Sequence, residues 1–418
     1  MPNSVRRPLL PALLLLAACT GSTEESRKGP PPLLTALPRA LSPAEARMVG
    51  ASNQFGFDLL RRARSAEGEV NLFLAPVSVS MALGMTLNGA QGSTLDSMRV
   101  ALRLDGAPID EINAGYRNLI DLLQSLDGTS QFRIANSIWG HSGILFLPAF
   151  LDAGRTHFDA EVRSLDFGAP ATLGTINDWV NTKTNGKIAK ILEEIAPQEI
   201  MFLINAIYFK GSWRLAFDPK QTSDAPFHAA DGSTQSVPTM RLDPELHRYS
   251  SNRDLEMVEL LYGNGAFAMT IVLPREDRSL ADVTASLDAA RWAELVAGLH
   301  DREIGLMLPK FRLEYKRELN DDLKALGMGI AFDAGRADFY GMADVRPDRL
   351  YITKVLHKTF VDVNEEGTEA AAVTSVGIGI TSAPPVLQID RPFLFVIRER
   401  LTGTVLFVGQ VTDAKTLR

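Results

Sequence analysis

Apolar and polar residues along this chain follow two spacings in an irregular succession. Ser42-Pro43 reads as a helix start, with a hydroxyl at the cap and a proline at the first helical position. Behind it, Met48, Phe55, Leu59 and Leu60 supply an apolar stripe. The pattern predicts a buried helix segment over 81–85 and a strand over 132–139. It predicts a helix over 176–190, with Asn185-Gly186 marking its end, and a buried strand over 201–209. A strand over 266–273 follows the turn Gly263-Asn264-Gly265, a helix is expected over 319–326, and 355–363 reads as a buried strand. Residues 391–411 give two more apolar strands around Thr402-Gly403. Strands gather late in the chain instead of alternating with helices, so the expected class is α+β, not a doubly wound sheet. Past residue 42 there is neither a second linker nor a repeat, and 42–418 is expected to form one domain.

The first 41 residues have a different character. Arg6 and Arg7 precede an apolar run from Leu9 to Leu16, too short to span a bilayer in a folded protein and suited to a signal segment. Leu16-Ala17-Ala18-Cys19 resembles the bacterial lipobox, in which the signal is cut before a cysteine that becomes acylated. Cys19 is the only cysteine in the chain. The expectation is therefore a signal peptide over 1–18 and a lipidated flexible tether over 19–41, rich in Ser, Thr, Gly and Pro. More than one acyl chain would anchor it stably. Thr20 stands where an Asp commonly retains lipoproteins at the inner membrane, which tilts the expected address toward the outer membrane, periplasmic or surface-facing.

Composition narrows the function. The chain has 418 residues, 45% hydrophobic and 22% charged, with a formal charge of −7 and no basic stripe, which argues against a nucleic-acid partner. One cysteine excludes an internal disulfide and any two-cysteine metal or redox motif, and the six histidines do not fall at metal-ligand spacing. No GxSxG, HExxH, CxxC or Walker A string is present, so no enzyme chemistry, metal or other cofactor is implied. A periplasmic ligand-binding lipoprotein would need two lobes, which the pattern lacks.

Residues 364–389 are the most unusual. Asn364-Glu365-Glu366-Gly367-Thr368-Glu369 is followed by an uncharged stretch from Ala370 to Ile389, broken by Pro384-Pro385. Thr368, Ala370, Ala372, Thr374, Val376 and Ile378 share one face of an extended strand, all uncharged and smallest near Gly367. Such a face suits insertion between two strands already packed over a core. An ordinary core strand with a small-residue turn has the same composition.

At this point the chain resembles the serpin family over 42–418. The hinge string NEEGTEAAAVT (364–374) carries the resemblance, with NLFLAPVSVSMALGMTLNGAQGST (71–94), ANSIW (135–139), INDWVNTKTNGKI (176–188), INAIYFKGSW (204–213), LPKFRLEY (308–315), ADFYGM (337–342), HKTFVDVNEEGTEA (357–370) and DRPFLFVIRE (390–399) in family order. The resemblance implies three β-sheets, about eight to nine helices and an exposed reactive-centre loop at about 365–385. It implies a monomeric suicide inhibitor of serine-type proteases, which is cut in the loop, held as an acyl-enzyme, and inactivates the protease by inserting the loop into the main sheet. The insertion hinge would be Glu365, Glu366, Gly367, Thr368, Glu369, Ala370, Ala371 and Ala372. Thr368 to Thr381 would span roughly 46 Å as a strand. Counting along the match gives Thr381-Ser382 as the cleaved bond, with Ile380-Thr381 as the alternative. The absence of Lys and Arg from 367 to 390 points to elastase-like or subtilisin-like targets. Ser78, Asn205 and His357 match the polar shutter cluster, with Ala75 where the family usually has a second serine. Trp213, Lys310 and Glu365 match the breach, where the loop enters. A serpin that folds without inhibiting, as a binding or structural protein, is the alternative.

Overall fold

The computed structural model describes residues 30–197, 199–368 and 384–414. Among these residues nine α-helices occur: α1 (Pro43–Glu67), α2 (Pro76–Leu87), α3 (Gly92–Ala101), α4 (Ile109–Ser125), α5 (Pro148–Phe158), α6 (Pro170–Lys183), α7 (Leu280–Ser286), α8 (Ala289–Ala297) and α9 (Asn320–Leu323). The first strands are β1 (Leu72–Leu74), β2 (Gln131–His141), β3 (Ala160–Leu165), β4 (Met201–Ser212), β5 (Ser223–His228), β6 (Thr234–Ser251), β7 (Leu255–Leu261) and β8 (Phe267–Pro274). They are followed by β9 (His300–Pro309), β10 (Phe311–Glu318), β11 (Leu356–Asn364), β12 (Gly367–Thr368), β13 (Val386–Gln388), β14 (Phe393–Glu399) and β15 (Val405–Val411).

One sheet has six strands in the order β10-β11-β12-β4-β2-β3. The other network has nine strands, β1-β15-β14-β8-β7-β6-β9-β13 with β5 on the outer part of β6. The register along β6 breaks between Leu242 and Glu245, around Pro244, which cannot donate to a ladder. The break separates a small outer sheet, built on β5, the first half of β6, β9 and β13, from the inner strands. The architecture is the expected α+β fold with three sheets. Its core lies between the six-stranded sheet and the inner strands of the larger network, where β8, β14 and β15 are buried along their whole length.

The start of α1 follows from its sequence. The Ser42 hydroxyl accepts from the Glu45 N–H, and the Glu45 carboxylate accepts from the Ser42 N–H, a reciprocal capping box. Arg39 reaches the buried Glu45 with two bonds of 2.6 and 2.8 Å, and that contact, ahead of the capping bonds, holds the carboxyl below its usual range. Three readings of the sequence need correction. The helix expected over 176–190 is α6, which begins six residues earlier at Pro170 and ends at Lys183, because Asn185 and Gly186 take left-handed backbone (φ +53° and +82°). The helix expected over 319–326 is α-helical only to Leu323; the chain then widens into a π turn over Lys324–Met328, where Gly327 has φ +110°. The flexible tether expected over 19–41 is docked over its described part. Leu34, Leu37 and Leu41 pack against the core, and the Leu34 N–H donates to the Asn264 carbonyl at 2.7 Å. Proline-rich composition announced a linker, but leucines at 34, 37 and 41 give it an apolar side.

Inside the larger network, Glu259 on β7 is fully covered and meets Arg398 on β14, itself 1% exposed, while Arg400 Nε lies 3.2 Å from its other oxygen. Removing Arg398 takes the most deeply buried cation from Glu259 and leaves the carboxylate to Arg400. Arg398→Leu is expected to destabilise the native state by up to about 3 kcal/mol, and the double variant Glu259→Leu/Arg398→Leu to recover part of that loss. Thermal and urea unfolding of the parent, the single and the double variant checks this; a double variant no more stable than Arg398→Leu would contradict it.

Candidate functional site

The site grows out of a discontinuity in the six-stranded sheet. β4 and β11 run parallel, and only the two residues of β12 join them: Gly367 pairs with Ser212 and Asn364, and Thr368 with Gly211 and Val363. Below that wedge no ladder links β4 to β11 among the described residues. The wedge requires two glycines. Gly367 has φ +143°, and a Cβ there would sit 2.1 Å from the Gly211 carbonyl oxygen; a Cβ on Gly211 would meet Phe209 and Tyr262 within 3.0 Å.

Around the wedge lies a closed set of contacts. The Trp213 backbone N–H donates to the Glu366 carbonyl at 2.9 Å, and its indole N–H donates to the Asn364 carbonyl at 2.9 Å. The indole stacks on Tyr262 with centroids 4.4 Å apart and the rings 13° from parallel. The Tyr262 hydroxyl hydrogen-bonds the Thr368 hydroxyl at 2.8 Å, and Thr368 is only 3% exposed. Burial raises the Tyr262 phenol well above its ordinary value, so it stays a neutral donor and acceptor. Glu365, 8% exposed, accepts from Lys310 Nζ at 2.8 Å and from the Thr222 hydroxyl at 2.7 Å. Burial pushes its carboxyl up, but Lys310 and Thr222 together outweigh burial and leave it below the ordinary value. Trp213, Lys310, Glu365, Glu366, Gly367 and Thr368, anticipated from the sequence, thus converge here. Tyr262, Thr222 and Asn364 complete the cluster and were missed. Asn364 lay within the quoted hinge string; Tyr262 directly precedes the turn glycine Gly263, with nothing local to mark its role.

Lower in the same gap, Ser78, Asn205 and His357 line one cavity of about 180 Å³. Leu203, Ile204, Ile352 and Leu356 supply apolar wall. Ala75 stands where the family usually has a hydroxyl, and its backbone N–H, at the start of α2, donates to His357 Nε2 at 3.1 Å. That bond requires an unprotonated Nε2 and so a neutral ring with the proton on Nδ1. Asn205 Nδ2 donates to Asn136 Oδ1 at 2.6 Å, and Asn136 Nδ2 donates to the Phe158 carbonyl at 2.6 Å. The Asn205 Oδ1 is buried and has no hydrogen-bond partner among the described residues. Asn136, directly opposite Asn205 across β2–β4, was missed although it lies in the quoted ANSIW string. Cys19, Glu369, Ala370, Ala371, Ala372, Ile380, Thr381 and Ser382 lie outside the described residues.

Comparisons with known proteins agree with this architecture. A family model described as serpin (serine protease inhibitor) matches residues 50–414. Iripin-2 of Ixodes ricinus is 36% identical over 378 residues, covering 88% of this chain and 94% of its own. Human thyroxine-binding globulin, solved with its hormone, superposes with a TM-score of 0.81 at 30% identity, over 89% of this chain and 99% of that one. The native state of the thermophilic serpin tengpin superposes at 0.80 with 29% identity, over 93% and 98%.

Burial holds the His357 imidazole down at about 4 against an ordinary 6.5. As the pH falls below 6.5 the unfolded chain takes up a proton that the native ring refuses. Native stability should therefore drop until about pH 4, by roughly 3 kcal/mol in total, and level off below that. The melting temperature of the parent is expected to fall more steeply between pH 7 and 5 than that of His357→Gln. Equal slopes would mean that this ring does not carry the proton linkage.

Proposed function

The chain belongs to the serpin family, whose members are generally protease inhibitors and not catalysts, and we propose that it is an inhibitory member. It offers its reactive loop to a serine-type protease as a suicide substrate, is cut, and traps the acyl-enzyme by drawing the loop into the gap between β4 and β11. The observation that carries this reading is the wedge: β12 is antiparallel to both neighbours and pairs with both, while among the described residues no ladder joins the edges below it. Continued in the same register, residues 369–378 would lie opposite 210–201 of β4, and 369–375 opposite 362–356 of β11. Residues two apart share a face, so Ala370, Ala372, Thr374, Val376 and Ile378 would follow Thr368 toward the core, and Glu369 would face outward. Thr374 would stand opposite both Asn205 and His357, bringing a hydroxyl to the polar groups of the cavity. Each pairing gained contributes about 1 kcal/mol net, which summed along a strand is a large driving force.

The cleaved bond in this reading is Thr381-Ser382, with Ile380-Thr381 as the alternative, and the uncharged loop suits elastase-like or subtilisin-like pockets. Cys19 carries the lipid that anchors the protein, a monomer, to a membrane, with the outer membrane as its address; neither a cofactor nor nucleic acid takes part.

Incubating the chain from residue 20 onward with an elastase-like and a subtilisin-like protease is expected to give, on denaturing gels, a covalent band near the summed mass and a small released carboxy-terminal fragment. Complete cleavage near 381 with no such band, across a wide protease panel, would favour a folded non-inhibitor instead. Thr368→Arg would force a charge into a buried position with no acceptor waiting. It is expected to raise the number of inhibitor molecules consumed per protease trapped about tenfold or more, with the cut site unchanged. Trapping at the parental stoichiometry would remove the hinge from the mechanism.

A further inference from the structure

The segment ahead of α1 is fastened at one particular place. Arg214, next in the chain to Trp213, donates from Nη1 to the Pro31 carbonyl at 2.6 Å and to the Gly263 carbonyl at 3.1 Å. The Leu34 N–H donates to the Asn264 carbonyl at 2.7 Å, and the Leu33 side chain lies over Gly265, where a Cβ would meet it at 2.4 Å. Arg39 closes the other end on Glu45. Residues 31–41 are therefore a strap laid across the turn after Tyr262 and tied to the residue after Trp213. That is the pole where β12 sits, and from which the reactive loop of the proposed mechanism would depart. The opposite pole, at Met201 and His141, is one length of β4 away, twelve residues or about 40 Å.

Pro31 lies twelve residue steps after Cys19. Fully extended they reach about 40 Å, and as a flexible coil they average about 20 Å. Without the strap, the free tether would run to Ser42 and the domain could turn either end to the bilayer. We propose that the strap holds the loop-bearing pole toward the membrane, so that the partners of this inhibitor are proteases whose active sites lie close to the same membrane surface. This rests on the inhibitory, lipid-anchored reading above. Loop insertion would then carry the trapped protease to the pole that points away from the bilayer.

Orientation can be read independently of acylation. A chain with a hexahistidine in place of residues 1–19 has no native cysteine, and it can be held on vesicles of phosphatidylcholine with a nickel-chelating lipid. A donor dye is placed either at Lys220→Cys, exposed beside the breach, or at Leu145→Cys, 89% exposed beyond the far end of β2. With an acceptor lipid in the bilayer, energy transfer is expected to be clearly stronger from 220 than from 145, and Leu34→Asp/Arg214→Ala is expected to abolish the difference. Vesicle-bound elastase-like protease should be trapped faster by the strapped protein than by the released variant, whereas the two should trap the same protease equally in solution. Equal or reversed transfer with the strap intact, or no advantage on vesicles, would overturn the proposal. Flotation of the natural full-length chain with membranes tests the Cys19 anchor separately; its failure would remove the membrane address, and absence of the covalent gel band would remove inhibition.

Discussion

Two parallel strands that lie side by side without hydrogen-bonding to each other set the terms for the rest of this molecule. β4 is satisfied on its far edge by β2, and β11 by β10, but among the described residues the edges that face one another meet only through Gly367 and Thr368. Open ladder edges inside a sheet are an unstable arrangement, since every N–H and C=O left without a partner loses free energy that a strand could recover. Along this gap lie a two-residue wedge at one end and a lined cavity further down.

The two polar clusters along the gap solve different problems. At the wedge, a half-exposed lysine, a buried carboxylate and a threonine hydroxyl fix Glu365, while a stacked indole and phenol fix the backbone on either side. That arrangement aligns the chain entering the sheet and tolerates no side chain at Gly367. Midway down, His357 is held neutral by burial and accepts from the N-terminal end of α2, so this ring brings polarity without charge to the gap. A neutral, hydrogen-bonding floor can receive a threonine or alanine side chain; a charged one would resist it.

The strap adds a third element to the same pole. Because Arg214 follows Trp213 directly, the segment ahead of the first helix and the hinge share one short piece of backbone at the end of β4. Strap and hinge thus lie at the same pole of the fold.

The one-dimensional pattern was enough for a good deal. It identified the α+β class, the strands that became β2, β4, β8, β11, β14 and β15, and the start of α1, because each of these is written in local periodicity or in a cap motif that acts over three or four residues. That Trp213, Lys310 and Glu365 belong together was implied by the family resemblance of three separate strings, not by any local spacing. Tertiary structure alone decided what depends on residues far apart in the chain: Tyr262 reaching Thr368, Asn136 standing opposite Asn205, Ala75 presenting its N–H to His357, and a proline-rich leader folding back onto the turn at Gly263. Those contacts arise from side chains and carbonyls brought together by sheet register and helix packing, and no spacing along the sequence encodes such a meeting.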